Sequence, residues 1–329
     1  MREYEFELRL CAHLEQATEA IVARQLAGSV HHAAGRVLDL VLVHTGEAFE
    51  QRRAITPETI PPEAIECEIG PGRARPWPGS VDLHPQTARR VLERGVEVGF
   101  LERVRRKGRT YVRQTVRYPD WVDAMTAIEN KPDLDRPGAL GHQLQYDVRL
   151  GLFDRVILAT RSHVTGAHLN RIPDVVGVWR VSEDGQMLSV EEIRPATRLP
   201  VSSTGIEILA RHPARVDISV IPPTEKARMR TRIAERAYGK GWRPAFPACA
   251  AAAVAERSGS ASLPLCTWKN RIVDPGSCGP TCPGYSAAEP PDVDRSGERG
   301  CRTPWEPDPP GVTNIQSRLD AFDDAAYRS

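Results

Sequence analysis

MTAIENKP, residues 125–132, is the stretch from which the fold is read. Met125 to Ile128 is a short apolar run stopped by Pro132, the pattern of a buried strand. The run ends in Glu129-Asn130-Lys131. Side chains alternate along a strand, so Glu129 and Lys131 are expected on one face and Asn130 on the other. An acid and an amine together at a strand end suit phosphodiester hydrolysis. The carboxylate can hold a hard Mg²⁺ ion, and the ammonium can steady the attacking water or the charge developing on phosphorus. The chain has five lysines against thirty-nine arginines, and only Lys131 has an acid two residues before it. The competing reading is a surface ion pair between Glu129 and Lys131.

Working outward, residues 36–43, RVLDLVLV, are apolar on both faces apart from Asp39, as in a strand covered on both sides. An acid there is costly to bury unless it is paired or metal-bound. Asp39 therefore either joins Glu129 at a metal or pairs with an arginine such as Arg36. Residues 3–20 carry Tyr4, Leu8, Cys11 and Leu14 at helical spacing, and residues 21–26 read as a strand. Residues 138–152 read as a helix, with Leu140, Leu144, Val148 and Leu152 on its apolar side. Arg155–Thr160 (RVILAT) and residues 175–181 (VVGVWRV) read as further strands. The order argues for an α/β sandwich.

This order, a helix with a glutamate, a strand with a central aspartate, a strand ending in Glu-x-Lys, a helix and a strand, resembles the core of the PD-(D/E)XK nuclease superfamily. The resemblance covers residues 3–45 and 122–181. It implies a restriction-endonuclease-like α-β-β-β-α-β sandwich and Mg²⁺-dependent cleavage of nucleic acid, DNA before RNA. Asp39 looks like the metal-binding aspartate, Glu129 like the second metal ligand, and Lys131 like the lysine that orients or activates the water. Glu7, with Glu5 as its competitor, looks like the helix-one glutamate that assists the metal, and Gln143 like the helix glutamine that follows the triplet. The resemblance also implies that a homodimer is common. The chain departs from the family in its 90-residue interval between Asp39 and Glu129 and in having no proline directly before Asp39. The stretches REYEFELRLCAHLE, YPDWVDAMTAIENKPDL and ERAYGKGWR also resemble an uncharacterised family of haloarchaeal proteins, which implies an archaeal cytoplasm.

Within this frame, residues 1–48 and 119–222 form the core and 49–118 an insertion. Residues 50–82, rich in proline and glycine, read as a long irregular connection. Residues 84–118, a helix opened by Pro85 and a hairpin around Arg105-Arg106-Lys107-Gly108-Arg109, resemble the last helix and wing of a winged-helix domain. Arg105, Arg106, Lys107 and Arg109 would then touch phosphates; otherwise they are a solvated basic turn. Residues 182–222 read as edge strands or a loose extension. Residues 223–243 carry a basic helix whose charges spread all round it, as on a solvated surface. The tail, residues 244–329, reads as irregular.

Four of the seven cysteines, Cys249, Cys266, Cys278 and Cys282, gather near the C-terminus. Four thiolates can close a structural Zn²⁺ site, and free thiols are the alternative. Net charge is +1, so any basic surface is local. No apolar run reaches the length of a membrane span and the N-terminus lacks a signal-peptide pattern, which points to a cytoplasmic protein with no membrane partner. No Walker A, GxGxxG or GxSxG motif is present, against nucleotide-driven or serine-hydrolase chemistry. The competing functions are a non-catalytic nucleic-acid-binding protein on a nuclease-like fold and a zinc-stabilised interaction protein.

Overall fold

Val37–Thr45 (β2) and Val122–Asn130 (β6) lack a continuous polar face, and both lie inside a six-stranded sheet. The computed structural model describes residues 2–32, 35–77, 79–135, 138–184, 187–257 and 261–299. The chain opens with α1 (Glu3–Ala17) and β1 (Ile21–Ala27), then β2. The insertion holds α2 (Phe49–Ile55), α3 (Pro62–Glu66), β3 (Arg75–Pro76), α4 (Pro85–Glu97), β4 (Leu101–Arg106) and β5 (Arg109–Gln114). After β6 come α5 (Leu140–Leu150), β7 (Arg155–Thr160), α6 (Gly166–Leu169), β8 (Gly177–Asp184) and β9 (Met187–Arg194). A hairpin of β10 (Gly205–Arg211) and β11 (Val216–Ile221) leads into α7 (Pro223–Lys240). The described C-terminal part holds β12 (Ala252–Arg257), β13 (Ala261–Cys266), β14 (Arg271–Ile272) and α8 (Arg295–Arg299).

The main sheet runs β1-β2-β6-β7-β8-β9. β6, β7 and β8 are parallel, while β1, β2 and β9 pair antiparallel with their neighbours. The fold is a mixed α/β architecture. On one face, Phe6, Leu8, Leu10 and Leu14 of α1 pack with Leu40, Leu42 and Ile128 of the sheet and with Leu263 and Ile272 of the C-terminal strands. On the other face, Leu140 and Leu144 of α5 and Met229, Ile233 and Ala237 of α7 cover Val41, Val43, Met125 and Ala127. At about 1.5–3 kcal/mol for each fully buried large apolar side chain, these two faces supply the main driving force for folding.

Three sequence expectations need correction, and a fourth is met in part. Residues 50–82 are not one irregular connection: Pro62 opens α3, and Ile60, Ala64 and Ile69 enter a separate core with Val91, Leu92, Phe100 and Val112. The insertion's own sheet runs β3-β5-β4, with α4 between β3 and β4 in the chain. Residues 182–222 supply the edge strand β9, as expected, and a separate hairpin that buries Glu207 and Ile221 against the rest of the protein. Helix α7 is not a solvated rod: its charges have distant partners, Arg230 on Asp154 and Arg232 on Glu66, and Lys226 is buried with its Nζ donating to the Ser203 carbonyl. The tail is not irregular throughout, because β12, β13 and β14 form an antiparallel meander under α1. Residues 301–329, and Cys301 with them, lie outside the described residues.

The insertion leaves and rejoins the sheet at one point, where Gly46 N–H donates to the Trp121 carbonyl at 2.8 Å. Its root is held to α7. Arg52 and Glu235 are fully buried and joined at 2.7 and 2.9 Å, and Arg52 lies over the Tyr238 ring. Trp121 packs against Phe49 and Tyr238, with ring centroids 5.5 and 5.9 Å apart.

Candidate functional site

Leu40 faces Ile128 in the antiparallel ladder of β2 and β6, which brings Asp39 opposite Glu129. The backbone confirms the closeness: Asn130 N–H donates to Asp39 Oδ2 at 2.9 Å. Gln25, at the facing position of β1, has φ +53° and also hydrogen-bonds Asp39. A non-glycine residue in the left-handed region marks a local break in the strand. Glu129 is 4% exposed. Burial, and then the neighbouring Asp39 charge, push its carboxyl up to about 7, against the pull of Arg36. Burial likewise raises Asp39, opposed by the Asn130 N–H and Arg36. Two acids that hinder each other's ionisation form a site short of positive charge.

Arg36 supplies part of that charge. Its Nη2 donates to both Glu129 and Asp147, and its Nε reaches both Asp147 oxygens at 3.1 and 3.2 Å. Its Nη1 donates to the Val37 carbonyl at 2.6 Å. The arginine considered as a partner for Asp39 thus binds Glu129 and Asp147 directly. Asp147 lies on α5, one turn after Gln143, and is buried; burial raises its carboxyl while Arg36 opposes the shift.

The other expected residues fall into three groups. Glu7 is buried on α1, bound by Arg24 Nε at 2.6 Å and by Gln25 Nε2 at 3.1 Å to each oxygen. Burial raises its carboxyl, and the Asp39 charge adds to the rise. Glu5 is committed to an ion pair with Arg9. Lys131 has no ion pair or side-chain hydrogen bond among the described residues. It lines a cleft with Glu3 and Tyr4, and its backbone N–H continues the sheet to Ala159. The two acids therefore meet, but the amine pairs with neither. Gln143 is half-buried and its side chain makes no hydrogen bond among the described residues.

Arg105, Arg106, Lys107 and Arg109 stand exposed at the β4–β5 tip. Lys107 and Gly108 have φ +48° and +76°, the backbone of a tight two-residue hairpin turn. Cys249 and Cys266 are buried, Cys278 and Cys282 half-buried, and all four are free thiols. Their charges reach one another: burial, then Cys249 and Cys266, raise Cys278. Among the described residues, however, no three His, Cys, Asp or Glu side chains are gathered as a metal site.

The sequence pattern does not mark Arg36, Asp147 or Gln25 as site residues. Arg36 is visible there as a charge beside an apolar strand, and Asp147 as an acid one helical turn from Gln143. Their pairing across 111 residues is not.

A model of a family of unknown function (DUF5787) matches residues 21–287. No curated protein and no solved structure matches the chain. No described helix is long and apolar enough to cross a membrane.

Proposed function

The chain belongs to the family of unknown function DUF5787, and we propose that it is a divalent-metal-dependent nuclease with a restriction-endonuclease-like core and a winged-helix-like insertion. The observation that carries this reading is the meeting of half-buried Asp39 and buried Glu129 on neighbouring strands, each shifted toward its neutral form. Two carboxylates suit Mg²⁺, which takes one or two from protein and completes its shell with water and phosphate oxygens. When bound, the cation acts as a Lewis acid at the phosphate and acidifies water.

The chain's own residues have separable tasks. Asp39 and Glu129 hold the cation. Gln25 and the Asn130 N–H fix the Asp39 carboxylate, and Arg36 fixes Glu129 against Asp147. Lys131, free at the adjoining cleft, is placed to meet the anionic phosphate. The exposed tip of Arg105, Arg106, Lys107 and Arg109 binds the backbone of the nucleic acid.

A specific observation favours a second reading. The Arg36 guanidinium already compensates Glu129, as in a protein that keeps the fold and binds nucleic acid without cutting it. Incubating the full chain with plasmid and oligonucleotide substrates in Mg²⁺ or Mn²⁺ separates the two. Cleavage abolished by Asp39→Asn and by Glu129→Gln, with binding retained, supports the nuclease. Binding without cleavage in either metal supports the second reading.

A further inference from the structure

Past the end of β6, which carries Glu129, lies a cleft of about 540 Å³ that none of the preceding roles fully uses. It opens between the start of α1, the end of β6 and residues 271–277, which comprise the last strand of the C-terminal meander and the turn after it. Three cations line it: Arg2, Lys131 and Arg271. Elsewhere the buried guanidiniums of this protein are mostly paired, as Arg36, Arg52 and Arg243 are. Among the described residues these three have no ion pair, and Arg271 Nε is buried without any hydrogen-bond partner. A half-buried guanidinium with no carboxylate on it is suited to meet an anionic phosphate.

Arg271 is set rigidly. It pairs with Cys266 in the meander, and its neighbour Ile272 is buried against the α1 core. Tyr4 adds an aromatic ring to the same wall, backed by Arg24 at 5.0 Å from the ring centroid. The cleft also has acids. Glu3, Asp133 and Asp274 line it, and Asp274 is partly occupied in accepting Gly276 N–H at 3.0 Å. Cations beside an aromatic face are the pattern that binds a single nucleic-acid strand, with phosphates on the cations and a base against the ring. The acids accept from the amino and hydroxyl groups that a base and sugar present.

We propose that this cleft binds a single nucleic-acid strand leading to Asp39 and Glu129, with Arg271 and Arg2 as phosphate contacts. The C-terminal unit is then part of the substrate site rather than an appendage. This rests on the nuclease reading for its direction, but not for its test.

The test measures binding of a fluorescently labelled oligothymidylate, about ten nucleotides long, to the full chain in chelator, over a range of salt. Wild type is expected to bind it, and Arg271→Ala to weaken binding roughly tenfold. Each phosphate deprived of its cation should lower the slope of log affinity against log salt by about 0.7. Arg2→Ala should act in the same direction, and Arg271→Lys should recover most of the affinity if Arg271→Ala acts through charge rather than misfolding. Arg228→Ala, on the exposed side of α7, is the control expected to bind as wild type. Wild-type affinity and slope in both Arg271→Ala and Arg2→Ala overturn the proposal, as does failure of wild type to bind the oligomer. Binding that depends on Arg271 without cleavage in Mg²⁺ sinks the nuclease and leaves the strand-binding cleft standing.

Discussion

Arg36 donates to Glu129 from the same Nη2 that holds Asp147, so one guanidinium serves two buried carboxylates. Removing it strands both. Arg36→Met is expected to destabilise the fold by about 3–5 kcal/mol, the cost of breaking a buried charge pair from one side. Chemical denaturation checks the size of the loss. In the nuclease reading, the pH dependence of cleavage should also move to higher pH, because Glu129 loses the group that favours its ionised form.

The same carboxyl gives the molecule a pH signature. Glu129 is held up to about 7 when folded, against an ordinary value of 4.5. Between those values the folded state carries a proton that the unfolded state has lost. Stability from this group is therefore fully present below about pH 4.5, falls as pH rises toward 7 and stays reduced above it. Thermal unfolding of wild type and Glu129→Gln across pH 5 to 8 should show the two curves converging at the acid end. Parallel curves contradict the assignment.

In the nuclease reading, a divalent cation competes with that proton. Mg²⁺ affinity is expected to rise about tenfold between pH 6 and pH 8 as Glu129 ionises. Titration calorimetry of the full chain reads this directly. Asp39→Asn should remove most of the heat at both pH values.

Arg52 and Glu235 join the insertion to α7 with no solvent access. Each single change, Arg52→Met or Glu235→Gln, should cost about 3–5 kcal/mol, and the double variant less than the sum. Additive losses in denaturant midpoints would show that the two side chains do not act as a pair.

Changing Arg105, Arg106, Lys107 and Arg109 together to alanine should leave stability within about 1 kcal/mol, because the tip is exposed. In the nuclease reading, duplex binding should weaken, with a salt slope lower by about 0.9 for each phosphate the tip no longer neutralises. An unchanged slope removes the hairpin from the nucleic-acid interface.

The paired acids were legible because β2 is an apolar run interrupted by Asp39 and the apolar stretch of β6, Met125 to Ile128, runs directly into Glu129. Helices α1 and α5 were legible from their apolar spacing. The place of α7 was not, because its basic residues look solvated until Asp154 and Glu66 are brought to them by the fold. The meander was hidden by alanine-rich strands of weak β preference, which depend on α1 for their burial. Lys131 shows the limit of local pattern. Alternation placed it beside Glu129, but Glu129 is claimed by Arg36, a residue 93 positions away.

To the strands on either side, the whole excursion from Gly46 to Trp121 is an oversized turn, closed by one hydrogen bond at its neck. Doubling such an excursion adds only about 0.6 kcal/mol of closure entropy. The alignment of Asp39 with Glu129 is set by the ladder beyond the neck, not by what hangs from it. The scaffold can therefore exchange one insertion for another at this junction while its paired acids stay in step.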